Sequence, residues 1–205
     1  MHKKNREFII PFICLSVFLI LFLANFFSNG FRFDSFVSEK IISFQSGNLN
    51  TLFVFAGHYA RIILIGLSVF FVSLLYLQKR KKESLVLAIS LVFGLVLEQV
   101  IKFFVQKERP LIQLVSETGY SFPSGHAISS VILFTFLIYF YNDKIENSFF
   151  KYVFIFASII LIIFIGFSRI YLNVHWLSDV VGGYALGLFI AFSVMRFFDY
   201  YPKYL

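Results

Sequence analysis

A single cysteine, Cys14, stands in the whole chain, which excludes an intrachain disulfide and any metal cluster built on cysteine. Within its apolar run that thiol reads as a small buried hydrophobe. Charge is scarce as well: Asp, Glu, Lys and Arg make up 14% of the 205 residues, against about a quarter in soluble domains. There is no internal repeat, no low-complexity tract and no sign of a second domain, so residues 1–205 are read as one unit. Acidic residues are the scarcer of the two signs, and the net charge is +7.

What abounds is apolar: 59% hydrophobic, 21% aromatic, with a mean hydropathy of +0.83. That balance excludes a soluble domain of this size and marks an all-α integral membrane protein. In such a chain an excess of lysine and arginine reports orientation and contact with anionic lipid headgroups, so no nucleic acid is expected as a partner. No obligate protein partner is evident either.

Six apolar stretches are read as spans of a transmembrane helix bundle: 8–27, 58–77, 85–105, 126–141, 152–167 and 178–198. The first follows Lys3, Lys4 and Arg6. Its apolar core is too long for a signal peptide and no small-residue cleavage site follows Phe27, so it is expected to be retained. After it, Phe33, Phe36, Val37, Ile41 and Phe44 fall near one helical face, with Arg32, Asp34, Glu39 and Lys40 elsewhere. This predicts an amphipathic helix lying in the interface. Gly47 and Asn48 are expected to break that run.

His58 and Arg61 are expected at the membrane interface as snorkelling or packing groups. Glu98 and Lys102 lie inside the third span, where ionisable groups are costly, and their i, i+4 spacing predicts an ion pair. Gly182, Gly183 and Gly187 predict close helix packing. With six spans, the N-terminus, the Lys79–Lys82 cluster, the loop bearing Lys144 and Lys151, and the tail with Arg196 and Lys203 share one side. By the positive-inside rule that side, with both termini, is cytoplasmic.

The opposite, outer face gathers the residues that carry chemistry. Pro123-Ser124-Gly125-His126 opens the fourth span: a helix start offers free N–H groups to an anion, Gly125 lets backbone approach closely, and His126 can move protons near neutral pH. Lys102 and Arg109 close the third span, Ser168 and Arg169 the fifth, and His175 and Asp179 open the sixth. Three cations suit a phosphate. The i, i+4 spacing lets Asp179 hold one ring nitrogen of His175 and leave the other free as a nucleophile, with His126 left to protonate a departing oxygen. Singly, the arginines also read as interfacial anchors and the histidines and Asp179 as helix caps. Jointly, those readings leave the shared side unexplained.

Lys102-x6-Arg109-Pro110, Pro123-Ser124-Gly125-His126 and Ser168-Arg169-x5-His175-x3-Asp179 resemble the three ordered signature motifs of the type-2 phosphatidic acid phosphatase family, the membrane lipid phosphate phosphatases. The resemblance implies a phosphomonoesterase or diphosphatase that needs no metal or other cofactor. It assigns His175 as nucleophile forming a phosphohistidine, Asp179 as the group orienting it and His126 as general acid. Lys102, Arg109, Ser124, Gly125 and Arg169 would bind the phosphoryl oxygens. The expected setting is a bacterial cytoplasmic membrane with the active site on its outer face. The expected substrate is an amphiphilic lipid phosphate such as undecaprenyl pyrophosphate, phosphatidylglycerol phosphate, phosphatidic acid or a lipid A phosphate. A lipid phosphotransferase using the same intermediate and a non-catalytic lipid-phosphate binding or translocation protein are the alternatives. The vanadate-dependent haloperoxidases share similar motifs but are soluble, which the hydropathy opposes. Tyr120 and Phe122 are candidates to line the access route, and Glu117 to touch a headgroup.

Overall fold

In the computed structural model the described residues, 2–28 and 31–200, form helices and connecting loops without a strand; the side chains of residues 2–8, 58, 199 and 200 are not among those described. The readings attached to the side chains of Lys3, Lys4, Arg6 and His58, and to Lys203, therefore lie outside the described part. The elements are α1 (His2–Ser28), α2 (Arg32–Phe44), α3 (Gly47–Leu77), α4 (Lys81–Val105), α5 (Gly125–Tyr141), α6 (Ser148–Tyr171) and α7 (Leu177–Tyr200). All but α2 cover the six apolar stretches. Among the described residues five helices, α1, α3, α4, α6 and α7, are long and apolar enough to cross a membrane by length and composition. The 17-residue α5 is a shorter apolar helix.

Local chemistry sets the boundaries. The Asn147 side chain accepts hydrogen bonds from the amides of Phe149 and Phe150 and so caps α6. Gln106, in the left-handed region at φ 50°, ends α4. Between α3 and α4 the chain turns through Lys79 at φ 61°. The neighbouring Arg80 donates to the Phe140 carbonyl and lies 4.9 Å from the Tyr141 ring centroid, so a residue read only as a topology charge also ties this turn to the end of α5.

Two boundaries depart from the sequence reading. α3 starts at Gly47, so Gly47 and Asn48 open a helix instead of breaking one. The first-turn N–H groups of a helix lack intrahelical partners anyway, and a glycine there loses little. α6 continues through Tyr171, which puts Ser168 and Arg169 on its last turn.

α5 is the hub. Ala127, Ile132, Leu133 and Phe136 have no exposed surface, and α3, α4, α6 and α7 pack around them, with α1 laid against α7. Helices in lipid are not driven together by hydrophobicity and rely on close approach. A Cβ at Gly183 would lie 2.7 Å from the Ser124 carbonyl oxygen, so the expected close packing of α7 is present beside the start of α5. Large apolar side chains such as Phe12, Phe70, Phe103 and Phe156 face outward, which suits a lipid-facing perimeter.

The apolar residues of α2 do not share one face. Phe33, Phe36 and Phe44 point outward, Val37 and Ile41 pack inward, and Asp34 sits on the inward side with 4% exposure. The sequence reading placed Asp34 only off the apolar face. Its charge is satisfied inside, by Lys107 and by Ser178 at the start of α7.

Gly183→Val should force α7 away from α5 at Ser124, at a cost of about 1–3 kcal/mol typical of overpacking. The check is a lowered unfolding temperature of the purified protein in detergent, with unchanged stability as the contrary result.

Candidate active site

His175 lies in the turn between α6 and α7. The Asn173 backbone adopts φ 54°, a left-handed conformation that asparagine tolerates, and its side chain donates to the Ile112 carbonyl and accepts from Ser38 Oγ at 2.7 Å. The turn closes with Val174 N donating to Arg169 O at 3.1 Å. Asp179 is the third residue of α7, and its Oδ2 accepts from the Trp176 amide at 2.9 Å, half of a capping box. The same oxygen lies 3.4 Å from His175 Nδ1. On the other edge of the ring, His175 Nε2 lies 3.3 Å from an Arg109 nitrogen. Arginine can only donate, so the tautomer that fits both contacts carries its proton on Nδ1, towards Asp179, and its lone pair on Nε2. Burial pushes the imidazole pKa down to about 4, against the upward pull of the Asp179 hydrogen bond and charge. At neutral pH His175 is therefore uncharged.

Arg109 is fixed by its surroundings: it donates to the carbonyls of Gly119 at 3.1 Å and Val174 at 2.7 Å. Arg169 has 1% exposure and touches Ser168 Oγ through Nε at 3.3 Å. Its two terminal nitrogens have no hydrogen-bond partner among the described residues. Gly57 of α3 makes room for this guanidinium: a Cβ there would lie 2.8 Å from one of those nitrogens. Ser124 holds the cap position of α5, yet its hydroxyl caps nothing and is unpartnered, while its amide donates to the Asp179 carbonyl at 3.0 Å. His126 is buried with Nε2 likewise unpartnered. Buried polar groups are hydrogen-bonded as a rule. A hydroxyl, an imidazole nitrogen and a guanidinium edge left without hydrogen-bond partners form a set suited to an anion.

Lys102 pairs with Glu98 at 2.6 Å, the ion pair expected from their spacing. Gly125 packs against that Glu98 carboxylate, which would have to move aside for any side chain there. A cavity of about 900 Å³ has Arg61, Glu98, Lys102, Arg109 and His126 at its polar end. Its walls then turn apolar between α3 and α4. From Arg61 to Ser73 it follows α3 for about 18 Å at the helical rise per residue. The structure thus gathers all eight sequence-derived candidates at one end of the bundle, Arg109 linking the cavity wall to His175.

Other readings change. Arg61, expected as an interfacial anchor, lines the cavity and pairs with Glu117 at 3.3 Å. Glu117 also approaches Arg169, at 4.0 Å. Tyr120 lines the cavity, but Phe122 does not: it is fully buried and stacks on Phe18 with centroids 6.1 Å apart, because the loop tucks it against α1. The sequence reading missed Asp34, Lys107 and Ser178, which touch Asp179 or its neighbours, and it missed Gly57. Only an unexplained lysine between Lys102 and Arg109 signalled any of them. Among the described residues no three His, Cys, Asp or Glu side chains gather as metal ligands.

A family profile described as PAP2 superfamily matches residues 83–203. Phosphatidylglycerophosphatase B of Bacillus subtilis is 34% identical over 66% of this chain and 65% of its own length, so the match spans just under two thirds of that relative. An undecaprenyl-diphosphatase of Sulfolobus acidocaldarius is 31% identical over 88% of this chain and 84% of its own. Among solved structures, a transmembrane PAP2-type phosphatidylglycerolphosphate phosphatase from Bacillus subtilis superposes with a TM-score of 0.84 and 25% identity, covering 96% of this chain and 99% of the other.

In protein labelled with 15N-histidine, the His175 signals, assigned by their loss in His175→Ala, should keep the neutral Nδ1–H pattern through weakly acidic pH and take up a second proton only near pH 4. Titration near the ordinary value of about 6.5 would contradict the buried geometry.

Proposed function

Since the chain belongs to the PAP2 superfamily and its relatives indicate an enzyme of the lipid phosphatase and diphosphatase class, we propose that it hydrolyses the phosphomonoester or diphosphate of an amphiphilic lipid through a phosphohistidine intermediate. One observation carries this reading: a neutral histidine held by a buried carboxylate stands with buried hydroxyl, imidazole and guanidinium groups that lack hydrogen-bond partners, next to the polar end of a long apolar cavity lined by Arg109 and His126.

The chemistry follows from the geometry. The phosphoryl oxygens bind Lys102, Arg109 and Arg169, the Ser124 hydroxyl and the free amides at the start of α5. Phosphate competes with Glu98 for Lys102. His175 Nε2 attacks phosphorus, the bond to the leaving oxygen breaks, and His126, protonated once the substrate's negative phosphate lies beside it, gives that oxygen its proton. Asp179 keeps Nδ1–H in place and offsets the positive charge that develops on the ring. Water then attacks the phosphohistidine and gives a proton to His126, inorganic phosphate leaves, and His175 is restored. Positioning and electrostatic stabilisation supply most of the rate in phosphoryl transfer.

The apolar length of the cavity supports an amphiphile whose chain stays among α3, α4 and lipid while its phosphate reaches the polar end. Phosphatidylglycerol phosphate and undecaprenyl pyrophosphate are the substrates most in keeping with the names of the relatives. Phosphatidic acid and lipid A phosphates share the same chemistry. The distribution of lysine and arginine supports six spans with both termini cytoplasmic and the site on the outer face of a bacterial-type cytoplasmic membrane, and the outward Phe33, Phe36 and Phe44 support α2 as an interfacial helix.

His175→Ala should abolish phosphate release from that panel of four lipids while the protein remains folded. A variant that keeps a substantial fraction of wild-type release sinks the assignment, and phosphorus moved to another lipid instead of released identifies a phosphotransferase. A reporter fused after Leu205 should be cytoplasmic; an external signal refutes the orientation.

A further inference from the structure

Behind the His175–Asp179 pair lies a second buried polar cluster, in which Asp34, Lys107 and Ser178 are not among the fixed residues of the signature motifs. Lys107 Nζ lies 2.9 Å from Asp34 Oδ2, 2.7 Å from Ser178 Oγ and 3.0 Å from Asp179 Oδ1. Asp34 also accepts from the Ser178 amide at 2.9 Å and the Ser178 hydroxyl at 2.6 Å. Lys107 has 3% exposure and Asp179 none. The backbone of Lys107 is itself held, its carbonyl accepting from Ser121 N at 2.8 Å.

We infer that Asp34 and Lys107 are positioning residues: α2 reaches through them to hold the Asp179 carboxylate, and through it His175, in reacting geometry. The inference rests on the proposed roles of His175 and Asp179. The oxygens of Asp179 are divided, Oδ2 serving Trp176 N and His175 and Oδ1 facing Lys107. With only the first pair of contacts the carboxylate could swing, and the long 3.4 Å approach to Nδ1 would be the first to go. Asp34 grips the ammonium from the far side and satisfies an amide in the first turn of α7, where a carboxylate is electrostatically welcome. Two further bonds tie α2 and its C-cap to the α6 side of the turn that carries His175: Ser38 Oγ to Asn173 Oδ1 at 2.7 Å, and Gln45 Nε2 to Tyr171 O at 2.8 Å. As a source of stability such a triad is weak, since desolvation offsets much of the Coulomb attraction. What it does supply is one fixed arrangement of donors and acceptors around the carboxylate that orients the nucleophile.

The test measures kcat, KM and unfolding temperature on the full chain, with phosphatidylglycerol phosphate in mixed micelles. Lys107→Met should lower kcat about 100-fold, the scale of a misplaced reacting group, with KM within about threefold. Lys107→Arg should recover most of that loss. Asp34→Asn keeps the shape of the side chain and should lower kcat about tenfold with KM unchanged. The double variant Asp34→Asn/Lys107→Met removes one charge of each sign, and should fold with an unfolding temperature near that of wild type yet stay as slow as Lys107→Met. A double variant with wild-type kcat overturns the inference, since Lys107 would then only neutralise Asp34. Wild-type kcat in Asp34→Asn overturns it as well, even where the lysine variants fail to fold. With His175→Ala run beside them, activity independent of His175 removes the underlying mechanism, whereas activity that needs His175 but ignores Asp34 and Lys107 removes this inference alone.

Discussion

Asp179 is a carboxylate without exposed surface; three parts of the chain meet it and a fourth reaches it through Lys107. Its Oδ2 takes the Trp176 amide and faces His175, and its Oδ1 faces Lys107 from the loop after α4. Its backbone carbonyl takes the amide of Ser124 at the start of α5, and through Lys107 it is coupled to Asp34 on α2. An uncompensated charge this deep would cost several kcal/mol, so the partners have to be present for the bundle end to close. Closing it brings the residues proposed to bind phosphate on α4, α5 and α6 within reach of one histidine.

The rest of the molecule is built so that this polar end can exist in an apolar protein. Along the helices the interior is filled by aliphatic and aromatic side chains of α5 and α7, with Gly183 and Gly187 allowing the backbones to approach. The outward faces are largely apolar too. The cavity between α3 and α4 joins the two regimes: cations and histidine at one end, aliphatic walls along its length. One surface can thus take a phosphate and the chain attached to it.

How much of this was legible in the sequence depended on range. The Glu98–Lys102 pair and the His175–Asp179 contact were readable because i, i+4 spacing on one helix or at its start sets their geometry locally. The apolar stretches announced their helices, although α3 began earlier and α6 ended later than hydropathy implied, because a membrane boundary is not a helix boundary. The role of Asp34 was missed, since an amphipathic pattern only places it off the apolar face and cannot see Lys107, 73 residues away in sequence. Phe122 was misread for the same reason, its partner Phe18 lying on the first helix.

By itself the sequence determined the helical class, the membrane setting its hydropathy demands, and the identity of the motif residues at the ends of α4 to α7. Composition, periodicity and spacing act over one or two helical turns, and those features live at that scale. Only the tertiary structure decided that Gly57 clears space for Arg169, that Ser124 leaves its hydroxyl free, and that α2 inserts a carboxylate behind Asp179. Each of these depends on where a distant helix comes to rest. That is set by the packing of the whole bundle and by the requirement that every buried charge find a partner, which no local stretch of the chain contains.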